Sequence, residues 1–130
     1  QKYFEESLKY KPGQEDAYFG MGLVQYHQGQ YKEAQLYFVK AQNGFKVAHE
    51  ALYYLGLTEE KLGDPDSAEA FYRQSIQLSP GFGLTHLALG DLLKQKNRLL
   101  EARVEYQKAA LEKEYPGVAK AAEDRLAQLQ

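Results

Sequence analysis

The sequence predicts an all-α fold, a stack of antiparallel helix pairs, and three observations carry that expectation. Gly22, Gly56 and Gly90 stand 34 residues apart, Ala34, Ala68 and Ala102 keep the same interval, and so do Phe38, Tyr72 and Tyr106. An interval of that length held through three copies marks a tandem repeat, with one supersecondary unit per copy. Within each copy, apolar and small residues recur at i, i+3, i+4 and i+7, the spacing of one helical stripe.

The elements follow in order. Phe4 lies 34 residues before Phe38, and Pro12 lies 68 before Pro80. Residues 1–14 are therefore expected to hold the second helix of an earlier repeat, Tyr3 to Tyr10, in a chain cut from a longer array. A native N-terminal capping helix is the alternative. Repeats are expected at 15–48, 49–82 and 83–116. Their first helices carry inner stripes of Tyr18, Met21, Gly22 and Gln25, then Leu52, Leu55, Gly56 and Glu59, then His86, Leu89, Gly90 and Leu93. A break follows at Gly29, Gly63 and Asn97, residue types that accept the left-handed backbone ending a helix. Asp64-Pro65 is the clearest start of a second helix, an N-cap acceptor followed by proline in the first turn. The second helices turn Ala34, Phe38 and Ala41, then Ala68, Tyr72 and Ser75, then Ala102, Tyr106 and Ala109 inward. Residues 117–130 form a further helix, with Val118, Ala122, Leu126 and Leu129 near one face. It is either a solvating cap or the first helix of another repeat.

Glycine inside a helix costs roughly 1 kcal/mol against alanine. Three mid-helix glycines in register therefore need an offset. Close approach of the paired helices supplies it, with the alanines facing the glycines and the aromatics filling the space beside them.

This pattern resembles the tetratricopeptide repeat family, whose 34-residue unit pairs an aromatic, a Leu-Gly step and a tyrosine with a later alanine, aromatic and proline. The resemblance covers nearly the whole chain. Tyr18, Leu52 and His86 stand where the family has tryptophan, Gln25, Glu59 and Leu93 replace the tyrosine, and Lys46 replaces the first closing proline. The resemblance implies a right-handed superhelical solenoid whose first helices line a concave, partner-binding side.

At 130 residues a single domain is expected, and the net charge of −2 gives no basic excess for nucleic acid. Cysteine is absent, which excludes disulfides and thiolate metal sites. No apolar run approaches the ~20 residues that span a bilayer, so no membrane insertion is expected. The localisation stays open. His27, His49 and His86 show no metal-site spacing with one another or with carboxylates. His86, on the inner stripe, reads as a packed, hydrogen-bonded histidine. Gly20 and Gly22 lie inside a helix and make no phosphate loop. Asn43-Gly44 falls at a helix end. No nucleophile–base pair is present, so the chain is expected to be no enzyme, with no catalytic, cofactor or metal residues.

Carried onto the repeats, the family's ligand-facing positions are Asp16, Phe19, Leu23, Tyr26 and His27 in the first helix, and Glu50, Tyr53, Leu57, Glu60 and Lys61 in the next. Leu84, Leu87, Asp91, Lys94 and Gln95 follow in the third. Each set shares one helix face. Its central line, Phe19, Leu23, Tyr53, Leu57 and Leu87, is apolar and is expected to face water, as an interaction site does. The competing reading packs these residues against neighbouring helices. Asp16, Glu50, Glu60 and Asp91 outnumber Lys61 and Lys94 on the rim. The expected partner is a protein or peptide segment with apolar anchors and modest basic character. Family members that clamp acidic chaperone C-termini use lysine and asparagine where Phe19 and Leu23 stand, so that activity is not expected. The alternative function is self-assembly into homo-oligomers through the groove or the open repeat ends.

Overall fold

The computed structural model describes residues 14–44 and 47–129. The segment from Tyr3 to Tyr10, and Lys46, lie outside the described residues. Seven α-helices follow one another: α1 (Gln14–His27), α2 (Tyr31–Ala41), α3 (Ala48–Lys61), α4 (Pro65–Leu78), α5 (Gly83–Gln95), α6 (Leu99–Ala109) and α7 (Pro116–Gln128). The tightest packing is within α1–α2, α3–α4 and α5–α6, and lesser contacts join α2 to α3, α4 to α5 and α6 to α7. This is an all-α solenoid of adjacent helix pairs.

The turns within each pair form where the sequence demands them. Gly29 and Gly63 have φ of 80° and 89°, and Asn97 has φ of 63°. Each turn returns two backbone amides to the preceding helix, as Gly63 N–H to Glu60 and Asp64 N–H to Glu59. Asp64 caps α4 by accepting from the Ser67 backbone N–H at 3.1 Å and from its hydroxyl at 2.8 Å.

The glycine expectation is corrected in one respect. The surface against each glycine is the aromatic ring, not the alanine. A Cβ added at Gly56 would lie 2.2 Å from Tyr72 Cε1; at Gly22 it would lie 2.6 Å from Phe38 Cε1, and at Gly90 2.6 Å from Tyr106 Cε1. All three rings and their companion alanines are fully buried. The flat ring needs the bare helix backbone, and the alanines let α2, α4 and α6 come close enough to place it there.

Stacking completes the core. Leu89, Leu92 and Leu93 of α5 join Ala68 and Tyr72 of α4 to Ala102 and Tyr106 of α6. Leu52 and Leu55 of α3 do the same with Ala34 and Phe38 of α2. Both helix pairs on either side of a junction therefore share one apolar interior. Met21, in register with the buried Leu55 and Leu89, is 41% exposed, so the inner stripe of α1 is less covered than its counterparts.

Polar residues inside the stack are partnered. Ser75 donates its hydroxyl to the His49 carbonyl at 2.7 Å and accepts from the Thr85 hydroxyl at 3.1 Å. Glu59 accepts from the Gln35 amide, which links α3 to α2. His86 is hydrogen-bonded, as expected: Nδ1 meets Glu105 Oε1 at 2.8 Å, and Nε2 meets the Pro80 carbonyl at 2.6 Å. At another junction Glu69 accepts from Lys96, Arg73 and Arg98 at 2.8–2.9 Å. Burial pushes the Glu69 carboxyl up, but those three hydrogen bonds outweigh it and hold it at about 2.

Val118 and Ala122 bury α7 against Ala109, and Leu126 and Leu129 pack against the α5–α6 core. One period beyond His86, Leu89 and Gly90 stand Lys120, Glu123 and Asp124, all exposed.

Candidate protein-binding groove

The residues expected to bind a partner lie on α1, α3 and α5, and the structure divides them into two neighbourhoods. On α1, Phe19 packs on Phe38 and edge-on to Tyr54, with centroids 5.9 and 5.8 Å apart. Tyr26 meets Tyr54 and Tyr31 edge-on, and Leu23 packs on the same cluster. Asp16 and His27 are exposed. On α3 and α5, Tyr53, Leu57 and Leu87 pack against the core around Tyr72 and Tyr106. Leu84 also packs toward α7. Lys61, Lys94 and Gln95 are exposed, and Glu50 is half-buried.

The expectation of an apolar line left facing water is therefore corrected. Phe19, Leu23, Tyr53, Leu57 and Leu87 are all half-buried. Aromatic side chains are wide enough to reach a neighbouring helix and still show an edge to solvent. Burial, with the neighbouring Tyr54 phenol, raises the Tyr53 hydroxyl, so it stays a neutral donor.

The rim is corrected too. Glu60 accepts from the Tyr72 hydroxyl. Asp91 accepts from the Tyr106 hydroxyl at 2.6 Å and from Arg125 Nε at 2.7 Å. The same rings that cover Gly56 and Gly90 thus reach past them to a carboxylate on the facing helix. Burial and these hydrogen bonds raise both phenols. Two of the four acids counted on the rim are structural acceptors, and one of those also carries an arginine.

What remains open is a cavity of about 330 Å³ between α3, α5 and α7. Tyr53, Leu57, Leu84, Leu87 and Ala88 give it apolar surface, and Glu60, Asp91, Gln95 and Arg125 give it polar walls. Apolar surface with a few convergent polar groups is the usual make-up of a binding cavity. Arg125 is absent from the expected partner-facing set because that set is carried only onto the first helices of the three full repeats. The signal was present: Arg125 stands in register with Leu23, Leu57 and Asp91 at the 34-residue interval. Among the described residues no group of three or more His, Cys, Asp or Glu side chains could hold a metal ion, and no helix is long and apolar enough to cross a membrane.

The chain belongs to the tetratricopeptide repeat family: family profiles described as Tetratricopeptide repeat match residues 1–42 and 49–82. No curated protein sequence matches it significantly. Solved structures share its fold at low identity. The type III secretion translocator chaperone SycD of Yersinia enterocolitica superposes with a TM-score of 0.83 at 16% identity, over 97% of this chain and 90% of that one. The first TPR of Spaghetti (RPAP3), bound to the HSP90 peptide SRMEEVD, gives 0.79 at 15% identity, over 92% of both chains. PcrH in complex with the chaperone binding region of PopB gives 0.75 at 16% identity, over 93% of this chain and 98% of that one.

Proposed function

We propose that this chain is a non-catalytic scaffold that holds a segment of another protein along α1, α3, α5 and α7, with an apolar anchor in the cavity between α3, α5 and α7. The cavity itself carries the reading: about 330 Å³ of space with Tyr53, Leu57 and Leu87 as its apolar surface. Family membership and similarly folded proteins that hold partner segments support it. Burying one aliphatic or aromatic anchor contributes about 1.5–3 kcal/mol, so several anchors, together with polar contacts along the segment, are needed to outweigh the cost of association. Asp16, Phe19, Leu23, Tyr26 and His27 extend the same face along α1. An acidic segment is disfavoured, because Phe19 and Leu23 offer no cationic donor and Glu60 and Asp91 line the cavity.

The test fills the cavity rather than stripping it, since Phe19, Tyr53 and Leu87 also hold the core. Ala88→Trp and Gln95→Trp place a large ring into the open space. Partner capture is lost while far-UV circular dichroism stays unchanged. Capture at full strength by both folded variants sinks the reading. Self-assembly is the second reading, favoured by Leu100, Val104 and Leu111 on and just beyond α6, where Leu100 is 80% exposed. Light scattering over a concentration series separates the two, because a groove-bound partner leaves the free chain monomeric.

A further inference from the structure

We infer that a second cavity, at the turn edge of the array, receives a lysine or arginine side chain of the segment held in the groove. This rests on the groove reading and adds the chemistry of one partner position.

The cavity measures about 610 Å³ and opens between the start of α3, the α4–α5 turn and the α6–α7 turn. His49 and Glu50 come from the first, Phe82 from the second, and Leu111 to Tyr115 from the third. Its apolar part is solvent-facing: Leu111 is 75% exposed and Tyr115 48%. The His49 and Phe82 rings meet edge-on at 4.9 Å, which fixes one wall. Three carboxylates, Glu50, Glu112 and Glu114, line it against one ammonium, Lys113. Glu112 is held in place, accepting from the Gly83 N–H at 2.6 Å and from the Glu114 N–H at 3.0 Å. Among the described residues, Glu50 and Glu114 take part in no ion pair. In the groove cavity Asp91 is offset by Arg125, whereas Glu50 and Glu114 have no such cationic partner among the described residues.

A cation with an aliphatic stem fits this combination. Its stem lies along Leu111 and the rings, and its charge meets Glu50 and Glu114. An anion or a phosphate meets net negative charge. The two cavities are also consecutive along the same helices. Tyr53, in the groove cavity, touches Phe82, in the edge cavity, at 5.8 Å. Glu50 precedes Leu57 by seven residues on α3, about 10 Å at the helical rise. An extended segment covers that distance in about three residues. The bound segment therefore carries its basic residue roughly two to four positions from its apolar anchor.

Phage-displayed random twelve-residue peptides, selected on the intact chain, test this. Selected peptides are expected to show a bulky apolar residue with a lysine or arginine two to four positions away. Selection on the Glu50→Gln, Glu114→Gln double variant, checked for an unchanged circular dichroism spectrum, keeps the apolar preference and loses the basic one. A synthetic peptide from the first selection binds that variant roughly three- to tenfold more weakly, the effect of losing two exposed ion pairs. Apolar enrichment without basic enrichment overturns the edge inference and leaves the groove standing. Basic enrichment that persists undiminished on the double variant overturns it as well. Loss of all enrichment overturns the groove reading, and this inference with it.

Discussion

Gly56→Ala is the sharpest test of why the helices pair as they do. The new Cβ would lie 2.2 Å from Tyr72 Cε1, 2.4 Å from Cδ1 and 2.8 Å from Cζ. Tyr72 is fully buried, and its hydroxyl is held by Glu60, so the ring has no cheap direction in which to move. Forcing a methyl into a packed interior costs about 1–3 kcal/mol, and the contact here argues for the upper end. Alanine's better helix propensity returns about 1 kcal/mol. The net expected loss is therefore about 2 kcal/mol. Gly20→Ala is the control, because Gly20 is mid-helix with nothing within 4 Å of its added Cβ. It keeps the propensity gain and is expected to stabilise the chain by up to about 1 kcal/mol. Urea unfolding followed by circular dichroism reads both, with m-values checked because repeat arrays can lose all-or-none behaviour. Tyr72→Leu removes the ring, so in the double variant the penalty of Gly56→Ala should shrink by more than about 1 kcal/mol. If Gly56→Ala proves as stable as Gly20→Ala, the ring-on-backbone account fails.

His86→Leu removes the ring that meets both the buried Glu105 carboxylate and the Pro80 carbonyl, an expected loss of about 2–4 kcal/mol in the same unfolding assay. Acid weakens the junctions: the Glu69 carboxyl is depressed to about 2 when folded, so its contribution is complete above its unfolded pKa, near 4.3, and drains away as pH falls toward 2. Glu105 shifts the same way, since its hydrogen bond to His86 and the Lys108 charge outweigh its burial. Thermal melts from pH 5 to pH 2 should show stability falling throughout that window, and a flat profile contradicts the assignment. Gly63→Ala forces a side chain into φ of 89° and is expected to cost about 1–2 kcal/mol by chemical denaturation.

The repeat, the helix pairs and the buried aromatic line were legible in the sequence because each follows from local rules applied at a fixed interval. Helical spacing sets the stripe, a glycine or asparagine with left-handed backbone ends the helix, and three copies in register remove ambiguity. The partner-facing positions on α1, α3 and α5 were legible only as faces of helices. How much of Phe19, Leu23 and Tyr53 stays open depends on how far Tyr54 and Phe82 reach from elsewhere in the chain. Glu60 and Asp91 look like free rim charges in the sequence, yet tyrosine hydroxyls 12 and 15 residues later claim them. Arg125 comes to Asp91 from 34 residues away. The edge cavity joins His49, Phe82 and Tyr115, which share no motif and come together through the stacking of successive pairs. Periodicity determines which side of a helix turns inward. Only the approach of separate helices decides which charges are neutralised and where space remains, since both depend on side-chain reach between segments distant in the chain.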